Sequence, residues 1–86
     1  MSNVAPKAKV IIYSRPGCHL CEEAKQTILT AGNANDYTLA EINIEDDAEL
    51  LRLYQFDIPV VTINGQEAFR HRLSPAEFRQ ALARYL

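Results

Sequence analysis

The stretch Lys9-Val10-Ile11-Ile12-Tyr13-Ser14-Arg15-Pro16-Gly17-Cys18-His19-Leu20-Cys21 decides how this chain reads. Lys9 to Ser14 is a short β-branched run, apolar at both parities, as expected of a strand covered by helices on two sides. Arg15-Pro16-Gly17 breaks it. From Cys18 to about Ala31 the period becomes helical. Cys21, Ala24, Ile28 and Ala31 recur at three- and four-residue steps, while Glu22, Glu23, Lys25 and Gln26 face water. The segment is therefore strand, turn and helix, with Cys18 at the junction and Cys21 one helical turn later.

Gly32-Asn33-Ala34-Asn35 stops this helix, glycine being a common C-terminal residue. Tyr37 to Ile44 reads as a second strand with Ala40, Ile42 and Ile44 on one face. Glu45-Asp46-Asp47 sets acids ahead of a second helix, where its dipole favours them, and Leu50, Leu51, Leu53 and Tyr54 form that helix's apolar side. Ile58-Pro59 interrupts before a third strand, Val60-Val61-Thr62-Ile63. Asn64-Gly65 is a preferred two-residue hairpin turn. Gln66 to about Arg72 returns as an edge strand whose arginines oppose pairing with another chain. Ser74-Pro75-Ala76-Glu77 is a capping box with proline at the first helical position, and Phe78, Leu82 and Tyr85 line the core side of the closing helix. Tyr13 and Phe56 read as packing residues. The order β-α-β-α-β-β-α predicts an α/β domain: a four-stranded mixed sheet with a parallel β-α-β unit, an antiparallel edge and three helices.

Eighty-six residues hold one small domain. Residues 1–8 lack periodicity and are expected to be a flexible lead-in to a domain over 9–86. With 48% hydrophobic residues the chain is no disordered segment, and it has no run of about 18 apolar residues to span a membrane. A formal charge of −2, from 9 basic and 11 acidic residues, gives no basic excess for nucleic acid. The first residues carry no apolar core of a secretory signal. A cytoplasmic, reducing setting is the expectation, with a monomer that engages neither nucleic acid nor membrane.

The chain has two cysteines. That is too few for a disulfide framework, and a closed zinc site needs about four ligands. At this spacing, beside a strand–helix junction, they point to redox chemistry. The thiolate, not the thiol, attacks a disulfide, so an attacking cysteine needs a lowered pKa. At position 18 the free N–H groups and the positive end of the helix dipole favour a thiolate, and Arg15 adds to this. Cys21, one turn on, is placed to resolve a mixed disulfide formed at Cys18. Two other readings use the same pair. One is two small buried hydrophobes. The other is a dimer in which four thiolates hold zinc or an iron–sulfur cluster. Ser74 and Arg72 at a helix start offer a place for an anionic group, although Ser74 is already explained as a cap.

Tyr13-Ser14-Arg15-Pro16-Gly17-Cys18-His19-Leu20-Cys21, followed by Tyr54-Gln55-Phe56-Asp57-Ile58-Pro59-Val60, resembles a glutaredoxin of the thioredoxin-fold superfamily, and more closely the small glutaredoxin-like proteins with a C-x-L-C site. The likeness runs from about Lys9 to Leu86. It implies a thiol–disulfide oxidoreductase that reduces protein disulfides or glutathione mixed disulfides through Cys18 and Cys21. It implies no bound cofactor, glutathione being a possible co-substrate, and a reductase or glutathione as electron donor. It further implies a cis Ile58–Pro59 bond facing the cysteines, with the Ile58 backbone offered to an extended substrate. Arg15 stands where glutaredoxins carry a lysine for the glycine carboxylate of glutathione, which arginine can meet with two hydrogen bonds. The chain departs from the pattern in having His19-Leu20 between the cysteines. It also has Phe69-Arg70-His71-Arg72-Leu73-Ser74 where the family tends to hold the γ-glutamyl end of glutathione with a Gly-Gly pair and an aspartate. His71 has no counterpart there.

Overall fold

A computed structural model describes residues 7–86. Its elements are β1 (Ala8–Ser14), α1 (His19–Ala31), β2 (Tyr37–Asn43), a 3₁₀ turn (Ile44–Asp46), α2 (Ala48–Tyr54), β3 (Val60–Ile63), β4 (Gln66–Arg70) and α3 (Pro75–Ala83). The sheet runs β2-β1-β3-β4. β1 and β2 are parallel, and β1–β3 and β3–β4 are antiparallel. The expected α/β architecture is thus present. The first six residues of the expected lead-in lie outside the described residues. Ala8 belongs to β1 instead: it is buried, and its N–H donates to Asp36 O at 3.0 Å.

The pleat sends alternate side chains to opposite faces. Ala8, Val10 and Ile12 of β1, Tyr37 of β2, and Val61 and Ile63 of β3 meet Ile28 of α1 and Phe78 and Leu82 of α3 in the main core. Tyr37 and Phe78 meet edge to face at 5.8 Å, and the Tyr37 hydroxyl donates to Ile28 O. α3 starts on the expected capping box, with Ser74 Oγ accepting from Glu77 N–H and Glu77 accepting from Ser74 N–H. Gly32 does end α1, but not in the left-handed conformation that usually suits glycine there. Its φ is −87°. A Cβ at this position would lie 2.5 Å from Cε1 of Tyr37 and 3.0 Å from Cε2 of Phe78, so close approach of the core is what requires glycine.

Three expectations need correction. First, β2 ends at Asn43, short of the expected Ile44, and the row that meets the main core is Tyr37 and Leu39. Ala40 is exposed, and Ile44, fully buried, belongs to the 3₁₀ turn. Parallel register with β1, pairing Ala8 with Tyr37 and Val10 with Leu39, fixes this parity. Second, α2 buries none of its residues, and Leu53 is 46% exposed. Two turns of helix cover only part of the second sheet face, where the Tyr54 ring meets Tyr13 at 5.0 Å. Third, Phe56 packs against nothing that shields it: it is 85% exposed in the turn after α2. β4 ends at Arg70, short of Arg72, because the chain bends at His71, whose φ is 67°.

Candidate functional site

Cys18 is the N-cap of α1. Pro16 and Gly17 make the turn that delivers it, Gly17 with φ of 79°, a conformation glycine adopts without steric cost. The cap has extended backbone, and its sulfur accepts the N–H of Cys21 at 3.2 Å. A sulfur in this position takes one of the helix's unpaired donors and faces the positive end of its dipole, both of which favour negative charge. Cys21 begins the inward stripe of α1 and is 2% exposed, whereas Cys18 is only partly buried. The two Cα atoms are 5.3 Å apart and the sulfurs are paired as a disulfide. The site therefore has one accessible and one sheltered sulfur that can be joined.

The pair opens on a cleft of about 440 Å³ whose walls include Ser14, Arg15, Cys18, Cys21, Glu41 and Asn43. Of the anticipated site residues, Arg15 thus shares a cleft with both cysteines. Its guanidinium is engaged by Glu45, with Nε at 3.1 Å and Nη2 at 2.8 Å from one carboxylate oxygen. Both side chains of that pair are about two-fifths exposed, so it orients Arg15 more than it stabilises the fold.

Ile58 and Pro59 do not line this cleft. Their peptide bond is cis, as the family likeness implies. The antiparallel register, with Tyr13 opposite Val60, puts them at the same end of the sheet as Cys18, at the start of β3. Pro59 is buried and its carbonyl accepts the His71 N–H at 2.8 Å. Asp57, just before, binds Arg70 Nη1 at 2.8 Å and lies 3.8 Å from His71 Nε2. Arg70 also holds Glu67, and this hydrogen bond keeps the Glu67 carboxyl below its ordinary value against a small opposing effect of burial. Arg70, which ends β4, and His71, just past it, thus tether the segment before β3.

Sequence reading passed over Ser14, Glu41 and Lys25. Ser14 is buried and its hydroxyl donates to Glu41 Oε2 at 2.9 Å. Lys25 Nζ, expected to face water, reaches Glu41 Oε1 at 3.4 Å. The available signal was register: once β1 and β2 are parallel, Glu41 pairs with Ile12 and continues the helix-facing row of Tyr37 and Leu39. Among the described residues no group of three or more His, Cys, Asp or Glu side chains gathers to hold a metal ion, and no helix is long and apolar enough to cross a membrane.

Comparison with known proteins bears on this arrangement. A family model described as a glutaredoxin-like domain (DUF836) matches residues 9–83. A Dictyostelium discoideum protein, glutaredoxin-like protein YDR286C homolog, is 34% identical over a 67-residue alignment that covers 71% of this chain and 62% of that protein. The chain therefore spans less than two-thirds of that relative's length. The solution structure of Ne2328 from Nitrosomonas europaea is similar at 29% identity and a TM-score of 0.77, covering 94% of this chain and 98% of that one. The crystal structure of XcR50 from X. campestris is similar at 26% identity and a TM-score of 0.75, covering 87% and 96%. A thioredoxin variant from Halobacterium salinarum shares the fold at 14% identity and a TM-score of 0.64, covering 92% and 74%.

Proposed function

The chain belongs to the glutaredoxin-like (DUF836) family, and from that premise we propose that it is a thiol–disulfide oxidoreductase in which Cys18 attacks and Cys21 resolves. The observation that carries this reading is Cys18 Sγ at the N-cap of α1, accepting an N–H from the cysteine with which it pairs. The Cys18 thiolate attacks one sulfur of a substrate disulfide. That bond breaks, the first substrate sulfur leaves as a thiolate, and Cys18 is left in a mixed disulfide. Cys21, as thiolate, then attacks the Cys18 sulfur, and the second substrate sulfur leaves. Two electrons and two protons pass from the cysteine pair to the substrate. Glutathione or a thiol reductase returns them from outside the chain, which places the reaction in cellular redox balance.

The substrates that suit this site are protein disulfides and glutathione mixed disulfides. Arg15 keeps Nη1 clear of Glu45 for a substrate carboxylate. The Ile58 backbone, at the mouth of β3 and on the Cys18 end of the sheet, offers strand-like pairing to an extended substrate, with Pro59 shaping that edge. No bound cofactor is needed for the cycle.

A coupled reductase assay tests the proposal. Cys18→Ser is expected to abolish disulfide reduction. Cys21→Ser is expected to form a mixed disulfide that persists and is visible by mass. Full activity in Cys18→Ser would overturn the mechanism. Incubating Cys21→Ser with oxidised glutathione separates the substrate classes: a stable adduct supports glutathione mixed disulfides, and its absence, with a trapped protein disulfide, supports a protein partner.

A further inference from the structure

We infer that Glu41 accepts the proton that Cys21 must lose when it resolves the mixed disulfide. This inference rests on the redox reading above and adds a residue to it. Cys21 is 2% exposed. A thiol so sheltered gives up its proton less readily than one in water, yet only its thiolate can attack Cys18. A base placed beside Cys21 in the cleft would speed that loss.

Glu41 is the carboxylate placed for this. The helix-facing row of β2 runs Tyr37, Leu39, Glu41, Asn43, and that of β1 runs Ala8, Val10, Ile12, Ser14. Both rows are apolar in the main core and turn polar only at the end where the cysteines stand. Glu41 and Ser14 share the cleft wall with Cys18 and Cys21. Ser14 Oγ donates to one carboxylate oxygen at 2.9 Å and Lys25 Nζ lies 3.4 Å from the other, so the group is held in one orientation. The Lys25–Glu41 pair stands at the rim of the cleft, each side chain about a third exposed, so Glu41 can pass a proton on to solvent while the buried Ser14 fixes its inner oxygen. The cleft, at about 440 Å³, has room for solvent between thiol and carboxylate, and general-base transfer works across one water. The titratable or charged groups facing Glu41 are Lys25, Glu22 and His19 from α1, Arg15 from the preceding turn, and the two cysteines.

The step balances. The Cys21 S–H proton goes to Glu41, a sulfur–sulfur bond forms between Cys21 and Cys18, and the bond from Cys18 to the substrate sulfur breaks. The substrate thiolate leaves, and Glu41 later returns its proton to solvent. Ser14 and Lys25 act through Glu41 and are positioning residues.

The test is rapid-mixing kinetics on the full chain with a disulfide substrate, resolving mixed-disulfide formation from its decay, in wild type, Glu41→Gln, Glu41→Asp and the control Glu23→Gln on the outer face of α1. In Glu41→Gln the ratio of decay rate to formation rate is expected to fall about tenfold or more, within the range of general-base effects. The decay rate is expected to climb log-linearly with pH where the wild type flattens. Glu41→Asp restores part of the ratio, and Glu23→Gln leaves it unchanged. Equal slowing of both steps, or an unchanged ratio and pH profile in Glu41→Gln, overturns the role of Glu41. Failure of wild type to form any mixed disulfide instead overturns the redox reading itself.

Discussion

The N–H of Cys21 donates to Cys18 Sγ across 3.2 Å in the paired state, and the same donor is placed to stabilise charge on that sulfur once the pair is reduced. Because the donor is main chain, it survives replacement of the Cys21 side chain. In Cys21→Ser, Cys18 is therefore expected to titrate below about 8.5, the ordinary thiol value. The rate of iodoacetamide alkylation against pH gives the midpoint. An ordinary midpoint near 8.5 would show that the helix end does not activate this sulfur.

Gly32 separates a conformational from a packing role for glycine at a helix end. Since its φ is within the range of any residue, Gly32→Ala costs nothing in backbone strain. The cost comes from a methyl group driven against Tyr37 and Phe78, which form the end of the main core. The expected loss is about 1–3 kcal/mol of unfolding free energy, the usual penalty for overpacking. Urea denaturation measures it. A stabilised variant would mean that both rings can withdraw.

The strands, the hairpin at Asn64-Gly65 and the cap at Ser74 were legible because each has a local physical cause in the sequence. The inward face of β2 was not, and the failure falls at the candidate site. Ala40, Ile42 and Ile44 form the more apolar row, but Glu41 and Asn43 interrupt the row that truly faces α1, since the cleft needs polar groups there. A local hydrophobic rule breaks where chemistry competes with packing. Register across strands, which relates residues far apart in the chain, is invisible to a pattern read within one strand. The tether from Arg70 to Asp57 was hidden for the same reason. Cys18 and Cys21, three positions apart, needed no such long-range information.

Phe56 and Phe78 make an internal comparison. Phe78 reads as core from its helical spacing with Leu82 and is fully buried, whereas Phe56, read as a packing residue, is 85% exposed. Phe78→Ala is expected to lose about 3–5 kcal/mol, the cost of a large cavity in a core. Phe56→Ala is expected to stay within about 0.5 kcal/mol of wild type. Chemical denaturation of the two variants side by side decides it. A large loss for Phe56→Ala would place that ring against the fold and contradict its exposure.

The pairing of Glu67 with Arg70 sets a weak acid dependence on the edge strand. The hydrogen bond from Arg70 lowers the Glu67 carboxyl from its ordinary 4.5, while slight burial opposes the shift. A carboxyl lowered on folding contributes stability that is full above its unfolded value and is lost as pH falls through the folded one. The advantage of wild type over Glu67→Gln is therefore expected to be constant from pH 7 to about 5 and to shrink below about 4.5. The side chains are about two-fifths exposed, so the advantage is small and falls further in 1 M salt, where exposed charges are screened. Urea midpoints at pH 7, 5 and 3, each at low and high salt, test this. A gap that persists undiminished at pH 3 would mean that Glu67 supports β4 through packing rather than charge.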